Sequence, residues 1–395
     1  MEQLFFVPQI PYGTRDFLPR EAQQKRVTEQ ALAELFASWG YDEVVTPTIE
    51  YLETLETGVG SDMQQHMFKF FDKSNRILAL RTDMTTPIAR VAATRMKEEG
   101  TPLKLFYLTN VFRYEQAQAG RQCEFYQAGV ELLGVPGPAA DAEVIALAVE
   151  SMRKAGLKEF QINLGQVDFI NGIMEESGLS PALRQQIKVA MVKRDLVGLG
   201  EMLEKSGVEA SLCKVLNRIP LLHGTDDLLA EAYQLVNNDT SRKALDNLSD
   251  IYQQLVNYGL SKYIRFDLGI IRDFNYYTGM VIEGYTPGLG FPVCGGGRYD
   301  TMLDSFGCQC PATGFALGIE RILLALERQG ILLKDREKNV YIAWAQGNLA
   351  KAVKEAAQLR QLGQTVEVAL TEESEEKAKE KAAAKGYKKL LYLAD

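Results

Sequence analysis

VFRYEQAQAGRQCEFYQAGVE, residues 111–131, is the stretch whose reading decides the fold. In its first half Phe112 and Tyr114 alternate with Arg113 and Glu115. After a polar loop containing Gly120, Tyr126, Ala128 and Val130 alternate with Gln127 and Glu131. A period of two on both sides of a glycine-bearing loop predicts an antiparallel hairpin. A charged alternation alone predicts a surface hairpin with one solvated face. The polar members point to a binding site instead: arginine offers planar two-point contact to phosphate or carboxylate, and an inward Gln and Glu can orient a polar ligand. A later apolar stretch, Ile270 to Tyr285, answers the first. Ile264 to Leu268 and Met280 to Gly284 read as strands flanking RDFNYYTG. Adjacent tyrosines in a strand face opposite sides, so one of Tyr276 and Tyr277 can project its hydroxyl into a site while the other packs outward. Elsewhere both would be amphipathic sheet residues.

The chain is 395 residues long and 46% hydrophobic, enough for two domains or for one large domain with an appendage. A formal charge of -8 argues against a mainly electrostatic nucleic-acid binder, though a local basic patch can coexist with an acidic total. Cys123, Cys213, Cys294, Cys308 and Cys310 form no CxxC pair, and His66 and His223 are the only histidines, so no metal site is expected. An odd cysteine count without a signal peptide predicts reduced thiols and a cytoplasmic location. No run of eighteen apolar residues predicts a membrane span.

Around the two stretches the remaining elements fall into order. Residues 8–19, PQIPYGTRDFLP, suit an extended arm. Helical periodicity runs from Glu21 to Trp39, with Val27, Ala31, Leu32, Leu35 and Phe36 on one face and Gly40 as a stop. Phe68 to Leu80 reads as a hairpin around Lys73-Ser74-Asn75. Arg81, Asp83 and Thr85 then sit between a strand end and a helix opened by Pro87, where they can converge on a small ligand or simply cap the helix. A helix over 140–156 and a strand near 160–164 precede a largely helical insertion at about 168–260. Its helices are predicted near 181–192, 197–206, 226–237 and 241–258, and His223 reads as a loop residue. Gly295-Gly296-Gly297 reads on its own as a loop that lets backbone approach a ligand. From Lys338 the pattern becomes a short βαβαβ unit: strands at 340–344, 365–370 and 389–393, helices at 349–362 and near 372–385.

FRYE, the Gly120-Arg121 loop and the closing Phe125, Gln127 and Glu131 resemble motif 2 of a class II aminoacyl-tRNA synthetase of the histidyl group. IIRDFNYYTGMVIE (270–283), CGGGRYD (294–300) and ATGFALGIERIL (312–323) resemble that group's two histidine signatures and motif 3, in the same order and spacing. GTRDFLP resembles the opening of its catalytic core. Glu43 to Leu52, with Val44, Val45, Pro47 and Ile49, resembles motif 1, which implies a homodimer interface. The resemblance implies an α+β fold: a class II synthetase-like antiparallel sheet flanked by helices over residues 1–330, interrupted by the insertion. A small, short anticodon-binding-like α/β domain follows at 338–395.

It also implies a histidine pocket made of Asp83, Thr85, Arg113, Gln127, Glu131, Arg272, Tyr276 and Tyr277. Tyr277 would stand beside the imidazole opposite Glu131, and Arg272 toward the carboxylate. Arg121 and Arg321 would be remnants of a phosphate site, although Arg321 could equally brace the sheet. Departures within the motifs redirect the functional reading. Where the synthetase pattern reads Glu-Arg-Pro-Gln and Gly-Arg-x-Arg-Gln, the matching positions here are Gln116, Ala117, Cys123 and Glu124. Thr82, Asp83 and Met84 stand in place of Pro, Glu and Gly. Removing one preorganised transition-state donor costs about 2–4 kcal/mol, so these losses together would abolish adenylation.

The chain is thus similar to the synthetase-like regulatory subunits of ATP phosphoribosyltransferase. That resemblance implies a non-catalytic partner of the short-form catalytic subunit, L-histidine as feedback effector, a hetero-octamer, and neither cofactor, metal, membrane nor tRNA. The alternative is a divergent histidyl-tRNA synthetase that still charges tRNA.

Overall fold

A computed structural model describes residues 8–58, 64–114, 122–270, 276–333 and 335–394. The chain divides into two compact units, Met1–Leu332 and Leu333–Asp395. In the first, the strands in chain order are β1 (Asp42–Glu43), β2 (Ile49–Tyr51), β3 (Lys69–Phe71), β4 (Ile77–Leu80), β5 (Leu103–Phe112), β6 (Glu124–Leu133), β7 (Gln161–Gln166), β8 (His223–Gly224), β9 (Ile264–Asp267), β10 (Met280–Tyr285), β11 (Cys294–Arg298) and β12 (Ala312–Gly318).

Nine of them form one sheet in the order β1-β5-β6-β12-β11-β10-β7-β9-β8, and β2-β4-β3 form a small second sheet. Only the β1–β5 and β7–β9 pairings of the large sheet are parallel. The β5–β6 hairpin is paired from Leu103↔Leu133 to Phe112↔Glu124. The hairpin is the one residues 111–131 predict, and the sheet is the α+β antiparallel architecture that the resemblance implies.

The hairpin is not a surface ribbon. Ala128 to Leu133 are all buried, because β12 pairs along the other edge of β6 from Gln127 to Leu133. Directly opposed residues of an antiparallel ladder share a face, and that face alternates along each strand. Leu164, Ile282, Leu317, Phe315, Val130 and Phe106 fall on one side and are buried. The helix Pro19–Ser38 packs there through Phe36, whose ring lies 5.5 Å from Phe106 and 6.2 Å from Phe315. Val27, expected on that helix face, is exposed. The helix turns Thr28 and Glu29 inward instead, where Lys25 pairs with Glu29 at 2.5 Å.

The other side of the central strands carries Gln127, Gly129, Glu131, Gly314, Ala316, Gly295 and Gly297. The triple glycine is therefore a strand, β11, and not a loop. A Cβ on Gly296 would lie 2.2 Å from Gly314 O and one on Gly297 2.5 Å from Met280 O. Close backbone approach inside the sheet is what these glycines permit.

Arg298, on the opposite side from Gly297, is locked at 2.8 Å to Asp141 of the helix Pro138–Lys154; both side chains are buried. It also reaches Asp300 at 2.9 Å and Gly137 O at 3.1 Å.

Within 168–260 the structure has helices Pro181–Val192, Leu196–Lys205, Asp227–Leu235 and Asp239–Asn257, plus Val167–Glu176 and Ala210–Arg218, which periodicity did not single out. His223 is not in a loop: β8 adds it to the edge of the large sheet opposite Asp267. No helix among the described residues is long and apolar enough to cross a membrane.

The second unit is a parallel three-stranded sheet of β13 (Val340–Trp344), β14 (Val366–Val368) and β15 (Lys389–Leu393) in the order β14-β13-β15. The helix Leu349–Gln361 covers one face through Ala352 and Ala356, and the helix Glu375–Ala384 covers the other through Ala378 and Ala382.

Replacing Asp141 by Ala leaves the Arg298 charge buried without its carboxylate. Urea denaturation should show a loss of about 3–5 kcal/mol in stability.

Candidate functional site

The open face of the central strands is floored by glycine and walled by buried polar groups. Glu131 of β6 is 2% exposed. Its Oε1 accepts a hydrogen bond from Thr85 Oγ1 at 3.1 Å and its Oε2 accepts one from the Tyr299 hydroxyl. A Cβ on Gly314 would lie 1.9 Å from Glu131 Oε2, so only glycine at 314 leaves room for the carboxylate. Gly129 makes room in the same way for the Tyr107 hydroxyl, 2.4 Å from the position a Cβ would take, and Gly297 for the Tyr277 ring.

Burial raises the Glu131 carboxyl to about 8, with Asp83 adding to the shift, while the two hydroxyl donors oppose it. Burial likewise pushes the Tyr107, Tyr276 and Tyr299 hydroxyls well above their ordinary range. These phenols stay protonated, and that of Tyr299 donates to Glu131.

Asp83 stands at the start of the helix Thr85–Thr94. Its Oδ1 accepts from Thr86 N at 3.1 Å and its Oδ2 from Thr82 Oγ1 at 3.3 Å, so the carboxylate acts as a helix cap. Burial raises its pKa, against the pull of those donors and of the Arg113 charge. Arg113, at the end of β5, donates from Nε to Thr82 O at 2.9 Å and lies over the Phe125 ring at 5.3 Å. Gln127 shares the open face with Glu131, and among the described residues its buried Oε1 accepts no hydrogen bond.

Tyr276 and Tyr277 precede β10 and are not in a strand, so they are not divided between two faces. Their rings lie 4.7 Å apart, and Tyr276 meets Tyr299 edge-on at 5.9 Å. Arg272 and Arg121 lie outside the described residues. Arg321 donates to Pro292 O at 2.7 Å and covers the Phe291 ring at 5.1 Å, the bracing role. Among the described residues no cluster of His, Cys, Asp and Glu could hold a metal ion.

The structure therefore gathers Asp83, Thr85, Arg113, Gln127, Glu131, Tyr276 and Tyr277 around one site. It adds Tyr299 and Tyr107, which the reading of the sequence missed. The signal for Tyr299 was available: two residues beyond Gly297 and four beyond Gly295, it follows their alternation onto the open face. Glu320 was also missed. Its two oxygens accept from Tyr126 N at 3.0 Å each, which anchors the start of β6.

A buried acid with hydroxyl donors, an unpaired amide oxygen and an arginine can together hold a small zwitterion bearing a polar ring. The family profile described as Histidyl-tRNA synthetase matches residues 13–322. The ATP phosphoribosyltransferase regulatory subunit of Moorella thermoacetica is 44% identical, covering 96% of this chain and 96% of its own. The chain belongs to the ATP phosphoribosyltransferase regulatory subunit family, which carries the histidyl-tRNA synthetase-like fold. The family's member from Desulforamulus reducens is 42% identical over 96% of this chain and 94% of its own. A crystal structure described as an ATP phosphoribosyltransferase regulatory subunit/histidyl-tRNA synthetase from Bacillus halodurans superposes with a TM-score of 0.88 at 32% identity. It covers 98% of both chains. The class II synthetase-like architecture is thereby established for this chain.

A raised acid pKa gives a stability dependence of definite sign. Glu131 contributes stability in its neutral form, fully present below the ordinary value of 4.5 and lost as pH rises through about 8. Glu131→Gln cannot ionise. Its melting temperature relative to the parent chain should therefore climb between pH 5 and 8 and level off above, as read by thermal unfolding across that range.

Proposed function

We propose that this chain is the regulatory subunit of an ATP phosphoribosyltransferase. It binds L-histidine on the glycine-floored face, is required for the activity of a short-form catalytic subunit, and relays feedback inhibition by histidine. The observation that carries the reading is the imbalance between the two halves of the site. Thr85, Gln127, Glu131, Tyr276, Tyr277 and Tyr299 remain assembled, whereas Cys123 and Glu124 occupy positions where the synthetase pattern has Arg and Gln. Cys123 is buried with its N–H on Gly13 O at 2.7 Å, and Glu124 accepts from Asn110 Nδ2 at 2.8 Å. Neither side chain supplies positive charge to a polyphosphate. The names of the relatives favour the same reading.

In the pocket, the Glu131 carboxyl and the tyrosine hydroxyls address the imidazole. Arg113, with Arg272, addresses the carboxylate, and Gln127 Oε1 takes a proton of the ammonium. Asp83 acts through the charge of its capped carboxylate.

Self-association uses the motif 1 region. Val45, Ile49 and Tyr51 are 85%, 45% and 38% exposed, and Ile49 and Tyr51 border an open groove of about 420 Å³ with Leu78 and Arg90. Pairs of these dimers with the catalytic subunits would form the hetero-octamer. The setting is cytoplasmic, and tRNA is not a partner.

Histidine-dependent exchange of pyrophosphate into ATP should be absent from the purified chain, while calorimetry should detect histidine. Added to the short catalytic subunit, the chain should switch on phosphoribosyl transfer, and histidine should switch it off. Robust exchange would overturn the regulatory reading in favour of tRNA charging. Glu131→Gln and Tyr277→Phe should each weaken histidine binding by about ten- to hundredfold, the range for a hydrogen bond involving a charged or buried partner. Unchanged affinity in both would sink the pocket assignment.

A further inference from the structure

We propose that Arg81 is the positioning residue for the amino-acid end of the pocket: its buried guanidinium ties the Thr46–Pro47 segment to Thr109 and Asn110 of β5 and so fixes where Arg113 and Gln127 stand. The proposal rests on the histidine reading and concerns only how one end of that pocket is held.

Arg81 is 3% exposed. Its Nε donates to Asn110 O at 2.9 Å. Its Nη1 donates to Thr46 O at 2.9 Å and Pro47 O at 3.3 Å, and its Nη2 to Asn110 Oδ1 at 3.1 Å and to Thr109 Oγ1. The backbone follows the same seam. Arg81 N donates to Thr48 O at 3.1 Å, and Arg81 O accepts from Phe112 N at 2.9 Å. The next carbonyl, Thr82 O, receives Arg113 Nε at 2.9 Å. Thr109 is the register partner of Gln127.

One planar fork thus ties its own segment to two others; one of them, β5, leads directly to Arg113, the group assigned to the ligand's carboxylate, and Gln127, assigned to the ammonium, stands opposite Thr109 on the neighbouring strand. Among the described residues no carboxylate touches the guanidinium; carbonyl, amide and hydroxyl oxygens hold it. Burial lowers its pKa, with Glu50 opposing at longer range. Stability alone is a weak reason to bury a cation so, since an apolar residue of similar volume often serves stability as well. A fixed fork suits positioning, and lysine cannot reproduce it. The ring end of the pocket is built otherwise: Glu131 is held by Thr85 and Tyr299, neither of which Arg81 bonds. The two ends are therefore separable by experiment.

The test compares L-histidine, which carries both ends, with 4-methylimidazole, which carries only the ring, on the full chain by ligand-observed NMR and calorimetry. Arg81→Lys should raise the histidine Kd by about tenfold or more, the loss of one to two good hydrogen bonds, while leaving 4-methylimidazole within about twofold. Equal weakening of both ligands would mark Arg81 as merely structural, and no change in either would remove it from the site; both results overturn the proposal. Should Arg81→Lys fail to fold, Thr109→Val, which removes one acceptor at constant shape, is read by the same split. A parent chain that binds neither ligand overturns the pocket and this role with it. A parent that binds histidine beside an unaffected variant overturns the positioning role alone.

Discussion

The clearance between Glu131 and Gly314 is the constraint on which the rest of the structure depends. A carboxylate at the centre of a nine-stranded sheet needs space on its own face, and a Cβ at 314 would stand 1.9 Å from its oxygen. Glycine in a strand forfeits packing and costs conformational entropy. The fold offsets this loss in two ways. β6, β12 and β11 are each paired on both edges, so the glycine backbone is fixed by complete ladders. The middle of the reverse face is apolar, through Ile282, Phe315, Val130 and Phe106, and is packed by Phe36 of the first helix. Arg298 and Asp141 lock the strand end from that same reverse face, leaving Tyr299 to turn over to the open one.

From this arrangement the chemistry of the site follows. An acid in such surroundings is pushed toward its neutral form by burial, and the neighbouring Asp83 carboxyl, itself raised by burial, adds to that push, so the pocket is poised for a ligand that brings positive charge or a proton donor. An amino acid with an imidazole side chain brings both. A polyphosphate brings the opposite, and the groups at the hairpin mouth agree. Glu124 is committed to Asn110, Glu320 holds Tyr126 N, and Arg321 is committed to Pro292 and Phe291. One half of the cleft thus keeps the groups proposed to hold an amino acid, and in the described part of the other half Arg321 is engaged with backbone.

The hairpin, most of the helices and the βαβαβ unit were legible because each rests on local periodicity; the helices Val167–Glu176 and Ala210–Arg218 were not. Residues 181–192 form a helix with the bounds that periodicity predicts. What was not legible depends on partners distant in sequence. The triple glycine reads as a loop until β10 and β12 are seen on either side of it, because a glycine's role is set by the neighbour that a Cβ would strike. His223 has no strand neighbours of its own and becomes strand only by pairing with Asp267. Val27 fits the apolar face by spacing, but the helix buries Thr28 and Glu29 instead, with Lys25 paired to Glu29. Asp83 and Thr85, for which ligand and cap readings were both open, are divided by the structure: Asp83 caps, and Thr85 holds Glu131.

For a pocket to act as a sensor, its ligand must bind differently in two states of the assembly, with a coupling of roughly 1–3 kcal/mol. A single rigid element could not supply this, since it would present the same contacts in both states. The pocket described here is assembled from the Asp83–Thr85 corner, two strands of the hairpin, the Tyr276–Tyr277 segment and Tyr299. These segments meet through a few hydrogen bonds among hydroxyls and carboxyls and through ring edges. A zwitterion bound as proposed would favour the arrangement in which they converge. The Arg81 seam connects these segments to the Thr46–Pro47 stretch, beside the exposed Val45 and Ile49 of motif 1. By reciprocity, an assembly that packs there and alters the affinity of the pocket is itself altered by the ligand by the same factor. Glu131 needs no contact with a partner for this linkage to operate; it needs only that the segments around it are not one rigid body.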